Sequence, residues 1–192
     1  MYDLKKEGFE IVQDAALADV AVINTCGFIE TAKQEAIDTI LEFGELKKEG
    51  RIKAIIVTGC LSERYREAVA EELPEADAVV GIGKNGELGD IIREALCDKK
   101  QLCVFDDKLK LPLEGGRILS TEPFFAYLKI AEGCSNCCTY CAIPSIRGKF
   151  RSRKMEDILD EARWLASVGV KELTVVAQDT TRYGEDLYGE PK

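Results

Sequence analysis

The sequence predicts an α/β fold in two successive parts, and three observations support this prediction. Apolar, β-branched segments alternate with amphipathic segments through the first hundred residues, which is typical of a parallel sheet covered by helices. A polar stretch with Gly and Pro, residues 106–123, then interrupts the pattern. A new strand–helix–strand pattern follows. We therefore predict a small parallel-sheet domain at 1–105, a linker at 106–123, and the opening βαβ of a second domain at 124–192.

Each element of the first domain is predicted by its hydrophobic periodicity. The predicted strands are FEIV (Phe9–Val12), DVAVIN (Asp19–Asn24), KAIIVTG (Lys53–Gly59), DAVVGIG (77–83) and QLCVF (101–105). The predicted helices are TAKQEAIDTILEFGEL (31–46), ERYREAVAEELP (63–74) and GELGDIIREAL (86–96). The second domain is predicted to contain the strand FFAYLKIAEG (124–133), the helix MEDILDEARWLASVG (155–169) and the strand KELTVVAQD (171–179).

Composition limits the classes of function. The chain has 192 residues, of which 46% are apolar and 32% charged, so it can form a core. Its apolar runs are too short to cross a membrane, and its first residues lack an export pattern, so we interpret the protein as cytoplasmic. The net charge of −9 argues against a general nucleic-acid binder. One basic segment, RGKFRSRK (147–154), is interpreted either as a solvated patch or as a substrate contact.

Four of the eight cysteines lie within GCSNCCTYC (133–141), in a chain without histidine. The abutting pairs do not suit a zinc ribbon, and Tyr140 stands where a ferredoxin-type run would need cysteine. The remaining interpretation is C-x-x-x-C-x-x-C through Cys134, Cys138 and Cys141, with Cys137 outside the ligand set. Three ligands on a four-iron cluster leave one iron open, as in catalytic metal centres.

Two further cysteines end successive predicted strands. Cys26 follows DVAVIN and Cys60 follows KAIIVTG, so both thiols would share one edge if the strands are neighbours. A metal site and plain packing as small apolar residues both remain open for this pair. For Cys97 and Cys103 we favour packing.

A competing motif is GIGKNG (81–86), which fits G-x-G-x-x-G between a strand and a helix. Asp106 follows at about the distance of a ribose-binding acid, roughly 20 residues. The fingerprint normally belongs to the first βα turn, whereas this is the third clear one. A nucleotide-binding protein therefore stays an alternative.

The cluster loop resembles that of radical S-adenosylmethionine enzymes, and more narrowly that of methylthiotransferases of the RimO type. The resemblance covers essentially the whole chain. The segments that carry it are GCSNCCTYCAIPSIRGKFRSR, VAQDTTRYGEDLYG, NTCGFIETAKQEAIDTI and VTGCLSERY. It implies a methylthiotransferase N-terminal domain followed by part of a radical S-adenosylmethionine (β/α) barrel.

The resemblance also implies a chemistry. Cys134, Cys138 and Cys141 would ligate a 4Fe–4S cluster whose open iron binds S-adenosylmethionine, and Cys26 and Cys60 would be two of three ligands of a second, auxiliary 4Fe–4S cluster. Tyr140 would pack near the adenine, with a role in the core as the alternative. Gln178 and Asp179 would contact cofactor or substrate.

A methylthio group would be added to the β-carbon of an aspartate in a small-subunit ribosomal protein. An electron donor such as flavodoxin or ferredoxin would be needed, and no membrane or nucleic-acid partner is implied. A tRNA methylthiotransferase and a non-catalytic iron–sulfur module remain alternatives.

The chain departs from the family pattern at both ends. No cysteine stands among the 25 residues before Cys26, where the family places the third auxiliary ligand. The 51 residues after Cys141 leave room for only two barrel strands, since a βαβ unit takes about 30 residues. We also expect the family's C-terminal RNA-binding-type (TRAM) domain to be missing. We therefore expect a fragment that is inactive alone.

Overall fold

The computed structural model describes residues 1–98 and 100–192. The chain divides into two compact units, Met1–Leu111 and Pro112–Lys192. The division falls inside the stretch 106–123 that the sequence predicts as a linker. No helix of the described residues is both long enough and apolar enough to cross a lipid bilayer.

The first unit is built on a four-stranded parallel sheet with the strand order β1-β2-β3-β4. Its strands are β1 (Val20–Thr25), β2 (Ala54–Gly59), β3 (Ala78–Val80) and β4 (Leu102–Val104). Its α-helices are α1 (Tyr2–Lys6), α2 (Glu30–Lys48), α3 (Cys60–Tyr65), α4 (Glu67–Glu72) and α5 (Leu88–Cys97). Short 3-10 helices span Ala15–Leu17, Ile82–Glu87 and Lys108–Lys110. The predicted α/β class with a parallel sheet is confirmed.

Strand β2 is buried along its whole length because helices cover both faces of the sheet. Successive side chains of a strand point to opposite faces. Accordingly, Ile55 belongs to the same core cluster as Ile40 of α2, whereas Ile56 belongs to a second cluster with Ile91 of α5. This packing on both sides fixes the carboxyl ends of β1 and β2, from which the candidate site of this unit is built.

Two predictions for the first unit are wrong. The segment Phe9–Val12 is not a strand: Phe9 packs against the core beside α5, and its ring lies 5.0 Å from the Arg93 guanidinium. The predicted helix 63–74 is two helices, because Arg66 between α3 and α4 has a φ of 44°. The Arg66 guanidinium is held there by Glu63, at 3.0 Å, and lies 5.5 Å from the ring of Phe105.

The second unit contains the predicted strand–helix–strand pattern. Its strands are β5 (Phe125–Lys129), β6 (Ala131–Glu132), β7 (Arg151–Ser152) and β8 (Glu172–Val176), and its helices are α6 (Ile143–Arg147), α7 (Met155–Ser167) and α8 (Glu185–Tyr188). Strands β5 and β8 form a parallel pair, and β6 and β7 an antiparallel pair. A 3-10 helix spans Thr180–Arg182.

The core of this unit lies between α7 and the β5–β8 pair. Ala126 and Leu128 of β5 pack with Ile158 and Leu165 of α7. Strand β8 is covered less completely: Leu173 is 37% exposed and Val175 is 51% exposed, although both are apolar.

Residues before β5 are attached to this unit by a buried arginine. Arg153 is 7% exposed and pairs with Glu114 and Glu161, each at 2.6 Å. Arg117 pairs with the same Glu161, at 2.8 Å. Since Glu114 and Arg117 lie in the stretch 112–123, these ion pairs explain why that stretch belongs to the second unit.

Candidate metal centre

The thiol loop begins directly after β6, where the chain makes a sharp turn. Gly133 has a φ of +73°, and a Cβ atom there would lie 2.3 Å from the carbonyl oxygen of Lys149. The backbone N–H of Cys134 donates to the carbonyl of Gly148, at 3.1 Å. Any larger residue at 133 would therefore displace the returning chain and move Cys134 with it.

The four thiols of the loop differ in exposure. Cys134 is buried, Cys141 is half-buried, and Cys137 and Cys138 are exposed. The N–H of Cys141 donates to the carbonyl of Cys138, at 3.1 Å, which closes a turn between these two residues. Across residues 1–98 and 100–192, no three Cys, Asp or Glu side chains are already gathered into a metal-binding group. The donor set itself, cysteine sulfurs within one short loop, fits an iron–sulfur cluster.

A hydrogen-bonded latch joins the thiol loop to the turn that follows β8. The Asn136 amide donates to Oδ2 of Asp179, at 2.9 Å, and its carbonyl oxygen accepts from Nη1 of Arg182, at 3.2 Å. Asp179 also accepts from the N–H and the hydroxyl of Thr181, which caps the 3-10 helix. Arg182 is held in turn by Glu185, at 2.6 Å.

The latch lowers the pKa of Asp179. The hydrogen bonds from Thr181 and then from Asn136 stabilise the carboxylate and hold its pKa below the ordinary value. Because the pKa is depressed in the folded chain, the stabilisation is present above the ordinary pKa and is lost as the pH falls through the folded value. We expect Asn136→Ala to raise the pKa of Asp179 toward its ordinary range, as measured by an NMR pH titration of its carboxyl carbon.

Asp106 provides the control for this titration. Its pKa is also lowered, chiefly by Lys110, and it lies in the other unit. The same substitution should leave the titration of Asp106 unchanged. An unchanged pKa of Asp179 in Asn136→Ala would contradict the latch.

The predicted cofactor contacts lie in the loop and in the turn after β8. The side chain of Tyr140 is 88% exposed, so the alternative of a core tyrosine is wrong. Gln178 is exposed and Asp179 is half-buried, two and three residues beyond the end of β8. Whether Tyr140, Gln178 and Asp179 contact a cofactor stays a prediction.

One buried carboxylate beside the loop was missed in the sequence. Glu132 is fully buried in β6 and contacts Lys129, Arg147 and the N–H of Gly133. Burial raises the pKa of its carboxyl, but the two cations outweigh burial, and the pKa lies below the ordinary value. The sequence signal that could have identified this carboxylate was a charged residue near the end of the apolar segment FFAYLKIAEG.

The basic segment 147–154 is not simply a solvated patch. Arg147 contacts Glu132, at 3.4 Å, and Arg153 is buried between Glu114 and Glu161. Lys149 and Lys154 are exposed. The solvated interpretation is therefore wrong for Arg153 and holds only for part of the segment.

In the first unit, β1 and β2 are neighbours, as the sequence analysis required for Cys26 and Cys60. Thr25 is paired with Gly59, so the two cysteines follow adjacent strand ends. The strand ends are closely packed: the Thr25 hydroxyl donates to the Thr58 carbonyl, at 2.6 Å. Cys60 is buried and Cys26 is half-buried. The structure thus brings the two residues to one edge of the sheet.

The GIGKNG motif forms a 3-10 helix rather than a phosphate-binding turn. The N–H of Ile82 donates to the buried carboxylate of Glu63, at 3.0 Å. The Asp106 carboxylate contacts Lys110, at 2.8 Å. A protein carboxylate thus accepts from the turn where a phosphate would, which argues against nucleotide binding.

Cys97 and Cys103 are both exposed, so the packing role favoured for them is wrong.

Comparison with known proteins agrees with this geometry. Residues 1–81 match the Uncharacterized protein family UPF0004, and residues 128–190 match the Radical SAM superfamily. The chain is 53% identical over 190 residues to the ribosomal protein uS12 methylthiotransferase RimO of Clostridioides difficile, covering 98% of this chain and 43% of that protein. It is 52% identical to the RimO of Clostridium tetani, covering 98% and 42%, and 50% identical to that of Acetivibrio thermocellus, covering 98% and 43%.

Residues 128–190 are thus similar to the radical SAM superfamily. Over 98% of its length the chain is similar to RimO-type methylthiotransferases, and the resemblance predicted from the sequence is confirmed. The chain spans less than half the length of the curated relatives that it matches.

Proposed function

We propose that this chain is part of a radical S-adenosylmethionine methylthiotransferase that modifies ribosomal protein uS12. The observation that carries the proposal is the loop with Cys134, Cys138 and Cys141, in a chain that aligns over 98% of its length with RimO proteins. The acceptor would be the β-carbon of an aspartate in uS12. Such a carbon cannot be deprotonated by a side chain, which suits a chain without histidine.

In this proposal the three thiols hold a 4Fe–4S cluster with one open iron. Such a cluster would supply a low-potential electron for the cleavage of S-adenosylmethionine, and a protein such as flavodoxin or ferredoxin would be its electron donor. The protein's own contribution is to place the loop: Gly133 allows the turn, and Asn136 ties the loop to the turn after β8. Tyr140 in the loop and Gln178 after β8, both exposed, would contact the cofactor.

A second cluster would use Cys26 and Cys60. Their adjacent places after β1 and β2 support this assignment. Two thiols alone do not complete such a site, and no cysteine stands among the 25 residues before Cys26. We therefore propose that the 192-residue polypeptide does not methylthiolate uS12 by itself.

Anaerobic reconstitution tests the proposal. The purified chain is incubated with iron and sulfide, reduced, and examined by EPR with and without S-adenosylmethionine. The expected result is a 4Fe–4S signal that changes on addition of S-adenosylmethionine, because the open iron gains a ligand. A cluster that is indifferent to the cofactor would instead support a non-catalytic iron–sulfur module. In a longer protein that contains this chain, methylthiolation of tRNA and not of uS12 would contradict the substrate.

A further inference from the structure

Glu132 is the most deeply buried charged side chain near the thiol loop. Its exposure is zero, and it lies two residues before Cys134. A carboxylate buried in this way is tolerated only when cations or N–H groups satisfy it. The sheet pairing of β6 with β7, in which Glu132 is opposite Arg151, fixes its backbone.

The partners of Glu132 come from both sides of the loop. Lys129 lies before the loop, at the end of β5, and Arg147 lies after it, at the end of α6. The N–H of Gly133 donates to Oε1, at 3.0 Å, so the carboxylate also holds the residue next to Cys134. One side chain therefore ties together the two ends of the segment 133–147, which contains all four thiols of the loop.

Two cations meet one carboxylate, and Lys129 is 44% exposed whereas Glu132 is not exposed at all. A negative charge close to an iron–sulfur cluster disfavours its reduced form, and a positive charge favours it. The carboxylate can therefore act on a bound cluster both by holding the loop and by offsetting the neighbouring cations.

We propose that Glu132 is a positioning residue of the thiol loop, which anchors both ends of the loop through Lys129 and Arg147 and offsets the positive charge of these two residues beside Cys134. The inference rests on one part of the proposed function, namely that the thiol loop holds a cluster. Glu132 itself does not ligate iron.

The first experiment uses the reconstituted chain and measures the midpoint potential of the cluster. Glu132→Gln keeps the size of the side chain and removes the negative charge, so the potential is expected to become more positive. Lys129→Met removes one cation, so the potential is expected to become more negative. The double variant should lie between the two. Glu172→Gln, the same chemical change at an exposed position of β8, should leave the potential unchanged.

A merely structural role gives a different pattern. If Glu132 only stabilised the fold, both single variants would lose cluster content or shift the potential in the same direction, which would overturn the proposal. No shift in either variant would overturn it as well.

The second experiment does not need a cluster. Amide hydrogen exchange in the metal-free chain should be faster over residues 133–147 in Glu132→Gln, by about tenfold for the loss of charged hydrogen bonds. Exchange in α7 should stay unchanged, as it should everywhere in Glu172→Gln. Faster exchange throughout the chain, or no change in exchange over residues 133–147, would contradict the anchoring role. A wild-type chain that takes up no cluster but shows this exchange pattern would refute the proposed function and leave the role of Glu132 supported.

Discussion

Replacing Cys134, Cys138 or Cys141 by Ser is expected to abolish the uptake of the 4Fe–4S cluster by the second unit. A serine hydroxyl is a poor replacement for a thiolate, and two remaining thiols cannot hold a four-iron cluster. Replacing a residue that hydrogen-bonds to a metal ligand typically lowers metal affinity about 10–100-fold, so the loss of a ligand itself should exceed that. The measurement is iron and sulfide bound per chain after anaerobic reconstitution, with the absorbance of the cluster.

Cys137→Ser is the matched control for this prediction. Cys137 lies in the same loop and is exposed like Cys138, yet it falls outside the C-x-x-x-C-x-x-C spacing. Its variant should bind as much iron as the wild type. Since Cys26 and Cys60 could bind some iron, the comparison is best made in a background with both replaced by Ser. Equal loss in Cys137→Ser and Cys138→Ser would show that the ligand set is wrong.

Replacing Arg153 by Met is expected to destabilise the second unit by about 3 kcal/mol. The guanidinium is buried and satisfies Glu114 and Glu161, and it also donates to the Lys129 carbonyl, at 2.7 Å. Removing it would leave Glu114 without this cation and Glu161 with Arg117 alone, and removing one partner is the costly way to break a buried ion pair. The chain contains a single tryptophan, Trp164 in α7, so its fluorescence in urea reports the unfolding of this unit.

Arg163→Met is the control for the stability measurement. Arg163 also pairs with an acid, Asp160, at 2.6 Å, but both side chains are more than two-thirds exposed. Exposed pairs contribute roughly 0–1 kcal/mol, so this variant should unfold almost like the wild type. Equal effects of the two substitutions would contradict the role given to the buried network.

The fold was predictable where a local pattern decides the structure. DVAVIN and KAIIVTG became the neighbouring strands β1 and β2 because continuous β-branched segments suit a sheet buried on both faces. The helix 63–74 was predictable only in part. Its periodicity does not show that the helix is interrupted at Arg66, whose guanidinium contacts Glu63 and the ring of Phe105. Phe9–Val12 has the composition of a strand but packs against α5 as an irregular segment.

The candidate site was predictable where the chemistry is local in sequence. The spacing of Cys134, Cys138 and Cys141 is visible without a structure. The supporting contacts are not, because they join distant residues: Asn136 meets Asp179, and Arg153 meets Glu114. A basic segment such as RGKFRSRK looks like a surface patch until the buried acids that neutralise it are located.

The incomplete cover of β8 has a practical consequence for work with this polypeptide. In the part of the chain that the structure describes, β8 pairs with β5 alone, so its other side offers free backbone groups beside exposed Leu173 and Val175. An apolar strand of this kind invites pairing with identical strands of other molecules. Concentrated samples should therefore precipitate over time, and a charged substitution at Val175 should keep the protein in solution for longer.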